Sequence, residues 1–185
     1  MRGIIGICGT PGAGKKTVAP IVASLAGLPA PISINSLART GQVEVDPKVL
    51  RTRLLKLNPG RAVVFGHLLP HVVNRSEVAM VAVLRCEPSV LRKRLVARRY
   101  PPAKVTENVE AELIGVVLDE CVRKFGSELV REYDTTSASP KKVAAAIARD
   151  ARGNGPKTAA RAAPAWIDWT LSYGSSSKLR SLLAG

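Results

Sequence analysis

Gly3-Ile-Ile-Gly-Ile-Cys8 runs directly into Gly9-Thr-Pro-Gly-Ala-Gly-Lys-Lys-Thr17. A short apolar run bounded by glycine predicts a buried strand, and the glycine-rich turn ending in lysine predicts a helix entered at Lys15. This is the anatomy of a phosphate-binding loop. Glycines allow successive backbone N–H groups to point at one anion, and the helix start adds the positive end of its dipole. Lys15 brings a full charge to the outer phosphates of a nucleotide. The usual pattern places Ser or Thr directly after that lysine, where its hydroxyl holds Mg2+. Here Lys16 takes that place and Thr17 follows one step later. The departure bears on catalysis more than on binding.

Outward from the loop, apolar runs alternate with helical sequence, the signature of a parallel sheet wrapped by helices. The first helix is predicted from residue 15 to about 26, strained or kinked by Pro20. Residues 32–35 read as a short second strand. Asp46-Pro47 is a helix start, cap then first-turn proline, for a helix through Leu57. Residues 61–65 and 78–84 read as strands buried on both faces. Pro88 opens a basic helix to about Arg99, which Tyr100-Pro-Pro102 breaks. One helix from about 106 to 125 is predicted to bury Val109, Leu113, Val116, Val117 and Cys121 at three-to-four spacing. Residues 129–134 form the last expected strand, and Ser139-Pro140 caps a helix to about Arg152. The expected fold is therefore α/β, a nucleoside-phosphate-binding core over residues 1–152 with a five-stranded parallel sheet. A small acceptor-binding insertion is expected at about 32–55 and a lid at about 98–108. Residues 153–164 read as a linker. Residues 165–185 form a tail whose Trp166 and Trp169 share one helical face and dock on the core, a partner contact being the alternative.

Length and composition narrow the class. At 185 residues with 46% hydrophobic content, one folded domain is expected and general disorder is excluded. Apolar runs are too short to span a bilayer, and the chain enters its strand at once, leaving no room for a signal peptide; no membrane association and a cytoplasmic location are expected. Cys8, Cys86 and Cys121 show no paired short spacing and read as small buried hydrophobes. The net charge is +14, from 28 Lys plus Arg against 14 Asp plus Glu. Such an excess points to RNA or another polyanion, with general solubility as the alternative. Two Phe, two Trp and three Tyr supply no interleaved aromatic platform for single strands.

Four segments, taken together with the closing Ile167-Asp-Trp169, carry a family resemblance across roughly residues 1–173. They are the Gly9–Lys15 loop, Gly66-His67-Leu68, Arg98-Arg-Tyr100 followed by Glu107-Asn-Val-Glu-Ala-Glu-Leu113, and Asp134-Thr-Thr136. In these the chain resembles the adenylate kinase isoenzyme 6 family of archaea and eukaryotes. The resemblance implies a P-loop nucleoside monophosphate kinase-like three-layer fold. It implies transfer of the ATP γ-phosphoryl group to AMP, with ATPase capacity, and Mg2+ as cofactor. It further implies work in small ribosomal subunit maturation and rRNA processing, beside a small-subunit ribosomal protein and pre-ribosomal RNA. By position, Gly12, Gly14, Lys15, Lys16 and Thr17 match the family's ATP-contacting loop, and Arg98 matches the lid arginine that reaches over ATP.

His67 ends a predicted strand, where such folds open their phosphate crevice, so a role in contacting phosphate or water is expected, a turn or core histidine being the alternative. Lys15, Arg98 and His67 are the catalytic candidates. In the family that strand usually ends Asp-x-His, whereas here Phe65 replaces the carboxylate. No metal ligand follows by direct match, with Thr17 the one candidate. Loss of turnover, or replacement of Mg2+ charge by the Lys16 ammonium, are the two readings of these departures; a single ammonium replaces a bridging divalent ion poorly. The function expected is thus a phosphotransferase, with a nucleotide-binding assembly factor of degenerate catalysis as the alternative. Arg39 is the candidate for an acceptor phosphate. Asp134-Thr-Thr136 reads either as a turn or as a stretch lying near the adenine or the loop. Glu107, Glu110 and Glu112 read as carboxylates serving on the lid helix, with helix-surface solvation and first-turn dipole compensation as the alternative for Glu107; none is a catalytic candidate.

Overall fold

The computed structural model describes residues 3–38, 46–153 and 166–184. Its sheet has five strands, all parallel: β1 (Ile4–Cys8), β2 (Ile32–Ser33), β3 (Val63–Phe65), β4 (Val78–Arg85) and β5 (Val130–Asp134), in the order β2-β3-β1-β4-β5. The first strand lies at the centre, paired with β3 through Ile5 and Val63 and with β4 through Gly6 and Val81. All five of its residues are buried, as a strand covered on both faces requires.

Side-chain alternation along β1 splits the core into two layers. Ile5 and Ile7 face helices α1 (Lys15–Ala26), α4 (Pro88–Ala97), α5 (Pro102–Leu113) and α7 (Pro140–Ala151). Ile4 and Cys8 face α2 (Pro47–Lys56), α3 (Leu69–Val72) and α6 (Val116–Phe125). This is the expected three-layer α/β arrangement. The helix starts follow the local chemistry foreseen for them: Asp46 accepts from the Lys48 N–H at 2.8 Å, and the Ser139 hydroxyl accepts from the Lys142 N–H. Cys8, Cys86 and Cys121 are free and buried.

Three details differ from the sequence expectations. The second strand stops at Ser33 and continues as a 3-10 turn from Ile34 to Leu37. The first helix spans Lys15–Ala26 with Pro20 inside it, as expected. Pro20 and Lys16 are both exposed, so the Lys16 carbonyl, which loses its helical donor, lies on the outer side of the helix. The single helix expected over 106–125 is two helices, α5 and α6, joined at Ile114-Gly115. Leu113 packs in one layer and Leu118 in the other, so the chain must turn across the sheet edge between them. Gly115, at φ +70, takes the left-handed conformation that the turn needs.

The third difference is the tail. Trp166 and Trp169 do not share a helical face: residues 166–168 have no regular structure, and a 3-10 turn spans Thr170–Tyr173 before α8 (Ser176–Ala184). Trp166 packs against the α6 layer, while Trp169, Tyr173, Leu179 and Leu183 pack against the α5 layer. The stretch expected as a linker, beyond Gly153, lies outside the described residues. No helix among the described residues is long and apolar enough to cross a membrane.

Candidate functional site

The carboxyl ends of β1, β2 and β3 open on a cavity of about 480 Å3. Its floor is the loop after β1, contributing Pro11, Gly12, Gly14, Lys15, Lys16 and Thr17. Gly66 and His67, which follow β3, form one side together with Phe65. Ser33 and Asn35, at the end of β2, line it, and Arg98 and Tyr100, past the end of α4, close over it. A crevice at the carboxyl ends of parallel strands is the ordinary ligand position of open α/β sheets.

The loop is shaped by its glycines. Gly12 has φ +95, and a Cβ there would stand 2.7 Å from the Leu91 side chain and 3.1 Å from Leu95. Only glycine lets the loop take this conformation so close to α4. The Ala13 N–H donates to the Thr10 carbonyl at 3.0 Å, and the Thr17 and Val18 N–H groups both donate to Gly14 O, starting α1. Thr135, buried after β5, has its hydroxyl 3.0 Å from the Ala13 carbonyl. Of the readings foreseen for Asp134-Thr-Thr136, the loop contact and the turn both occur: Thr135 contacts the loop, and Asp134 accepts from the Thr136 N–H.

Lys15 curls over the loop and donates to the carbonyls of Gly9 at 2.5 Å and Thr10 at 3.0 Å. Burial of its ammonium lowers its pKa to about 8, and nearby Arg98 and Lys16 push the same way. His67 is likewise held below its ordinary value, first by burial and then by the Lys15 charge, so its imidazole is neutral at neutral pH. Beneath it, the Cys8 thiol reaches the Gly66 carbonyl at 3.1 Å, tying the end of β1 to the turn that carries His67.

Lys15, Lys16, Thr17, Gly12, Gly14, His67 and Arg98 thus meet around one cavity. Arg39 lies outside the described residues. Among the described residues that line the cavity, none is a carboxylate. The oxygen-bearing side chains are Ser33, Asn35, Thr17 and the Tyr100 phenol, and no cluster of three or more His, Cys, Asp or Glu suited to a metal exists among the described residues.

One site residue escaped the sequence reading. Of the three glutamates on α5, Glu107 and Glu110 are exposed, but Glu112 is 2% exposed and lies directly under the loop. Its Oε2 accepts from the Thr10 hydroxyl at 2.6 Å, and its Oε1 accepts from Arg85 Nε at 2.7 Å and the Cys86 N–H at 3.0 Å. The signal was present in the chain. Val105, Val109, Glu112 and Leu113 share the buried stripe of α5, so a carboxylate stands where the helical period calls for an apolar side chain.

A family model described as an AAA domain matches residues 5–115. A protein named putative adenylate kinase from Natronomonas pharaonis is 37% identical over 148 residues, covering 77% of this chain and 86% of the relative. Its namesake from Archaeoglobus fulgidus is 35% identical over 173 residues, covering 90% and 91%. The chain belongs to this family. A third member, from Methanothermobacter thermautotrophicus, is 41% identical over 152 residues, covering 76% of this chain and 85% of its own. The matched span of the family model holds the loop, the β3 turn with His67, the Arg98–Tyr100 turn and Glu112.

Proposed function

We propose that the chain is a nucleoside monophosphate kinase that moves the γ-phosphoryl group of ATP to AMP. The observation that carries this reading is the convergence of Lys15, Lys16 and Arg98 with the glycine loop on one cavity, in a chain whose archaeal relatives bear the adenylate kinase name. The loop amides and Lys15 take the β- and γ-phosphates, and Arg98 lies across them from the far wall. Ser33 and Asn35 line the side where the acceptor enters, and Arg39 is the sequence candidate for its phosphate.

The step breaks the bond between the γ-phosphorus and the βγ-bridging oxygen and forms one to an oxygen of the AMP phosphate, giving two ADP. That acceptor oxygen is already ionised at neutral pH, so no general base is needed; alignment and cationic charge do the work. A cavity lined by cations and no described carboxylate suits such chemistry. His67, neutral and half-buried, has a free choice of donating to a phosphate oxygen or accepting from a water, and the second option gives the ATPase capacity.

Among the described residues the cavity offers Mg2+ no carboxylate and no hydroxyl directly after Lys15, only Thr17 one step later, so protein support for the ion would be weak. This favours a second reading, in which the chain binds nucleotide as an assembly factor and turns it over slowly. Pre-ribosomal RNA and a small-subunit ribosomal protein are its proposed partners, supported by the +14 charge and the sequence resemblance. One assay separates the readings: ADP formed from ATP, with and without AMP. Formation that requires AMP supports the kinase. Formation without AMP makes the chain an ATPase, and none at all leaves the binding role.

A further inference from the structure

We infer that Glu112 positions the phosphate loop and that the carboxyl-terminal segment, through Trp169, helps to hold that loop for nucleotide. The inference rests on the nucleotide reading above.

Thr10 is the second residue of the loop, is 1% exposed, and does not line the cavity. Its hydroxyl points the other way, into the core, and meets Glu112 Oε2 at 2.6 Å. An O–H donated to a carboxylate at that distance is among the stronger hydrogen bonds a protein makes. The same carboxylate reaches the tail, because Trp169 Nε1 donates to Glu112 Oε1 at 3.3 Å. One buried group therefore touches the nucleotide loop on one oxygen and the last described segment on the other.

The tail is fastened to this group twice more. Arg85, 2% exposed, donates from Nε to Glu112 Oε1, from Nη2 to the Glu112 carbonyl at 3.0 Å, and from Nη1 to the Ile167 carbonyl at 3.2 Å. Its Nη1 also pairs with Glu132, whose other oxygen accepts from the Ile167 N–H at 2.7 Å. Further along, the Tyr173 hydroxyl donates to Glu87, the residue that caps α4. That helix ends at Arg98, over the cavity. The loop thus has a bond to the tail beneath it, and the helix that leads to Arg98 has one at its opposite end.

A purely structural core would do as well with apolar side chains here, since burying ions is costly. What apolar groups cannot do is fix the Thr10 hydroxyl, and with it the direction in which the loop amides point. Preorganised amides are what an anion site depends on, because a loop that must be ordered at the moment of binding loses affinity.

The test is calorimetry of the full chain with ATP, on Thr10→Val, Trp169→Phe and the double variant. Each single change is expected to weaken ATP by about tenfold, the loss of one charge-assisted hydrogen bond. The double variant should be no weaker than the worse single one, because both act through Glu112. Thr10→Ser keeps the donor and should bind within about twofold of wild type. Trp169→Phe binding ATP like wild type, or two losses that add, overturns the inference and leaves the nucleotide reading intact. No binding by the wild type removes both. Should Thr10→Val fail to fold, Trp166→Phe leaves Trp169 as the one indole, since the chain has two. A saturable shift of its emission on adding ATP supports the coupling, and a flat titration ends it.

Discussion

Two sets of positive charge lie on either side of the phosphate loop, and they are treated in opposite ways. Below the loop, Arg85 is enclosed by Glu112 and Glu132, with every polar side-chain contact made inside the protein. Above it, Lys15, Lys16 and Arg98 line a cavity to which no described carboxylate contributes, and Lys15 has only the carbonyls of Gly9 and Thr10 as acceptors. Charge that the fold neutralises belongs to architecture. Charge that the fold leaves facing a cavity belongs to a ligand. The difference can be broken or sharpened by removing one member from each set.

The largest effect is expected below the loop. Glu112→Ala leaves the Thr10 hydroxyl, the Cys86 N–H and the Trp169 indole without their acceptor and strips Arg85 of one of its two carboxylates. Breaking a buried pair in this way costs about 3–5 kcal/mol, read as a lowered midpoint in urea unfolding. A loss under about 1 kcal/mol would show that the network is wetter and weaker than it looks. Above the loop the sign of the stability effect changes. Lys15→Met removes a desolvated ammonium, so folding stability is expected to hold or rise, while turnover falls roughly 10²–10³-fold, as for loss of a preorganised charge. Equal damage to stability from both substitutions would erase the contrast.

The two regions also differed in how readable they were in the chain. The cavity was legible because its chemistry is local: strand, glycines, lysine and helix follow one another within Gly3–Thr17, and Gly66-His67 and Arg98 carry their own short motifs. The network was not, because its members come from four separate elements. Thr10, Arg85, Glu112 and Glu132 are brought together by the sheet and the turn at Gly115, and no short-range spacing relates them. The same turn hid itself, since Val109, Leu113, Val116, Val117 and Cys121 keep a helical period straight through the break. Periodicity records which side chains are apolar, not which side of the sheet they face. The two indoles failed for a like reason. Their spacing suits a helix face, yet each fills a gap in a different layer, and the layers dictate an irregular path.

A pH titration sharpens the comparison without any substitution. Lys15 is held near pKa 8 in the free protein by burial, and a bound phosphate raises it. Above pH 8 binding then takes up a proton, so affinity is complete below pH 8 and is lost as the pH rises. The fall approaches about tenfold per pH unit at its steepest. Calorimetry in two buffers of different ionisation heat counts the proton directly. Lys15→Arg, whose charge does not titrate in this range, should flatten the profile. A wild-type affinity constant from pH 7 to 9.5 would place the ammonium outside the phosphate contact.

Lys16 offers the smallest effect and the finest division. It is exposed, lines the cavity, and stands where an Mg2+-holding hydroxyl is usual. Lys16→Thr restores that hydroxyl next to Lys15 and removes one cation. With Phe65 left in place, since it packs in the core at 8% exposure, folding should be unaffected. If slow turnover comes from the missing ligand, ADP formation should rise by less than about tenfold and only with Mg2+ present. If Lys16 itself supplies the charge, the same change should lower the rate with or without the metal. The two outcomes have opposite signs, so the direction alone decides whether the lysine in that place is a loss or a replacement.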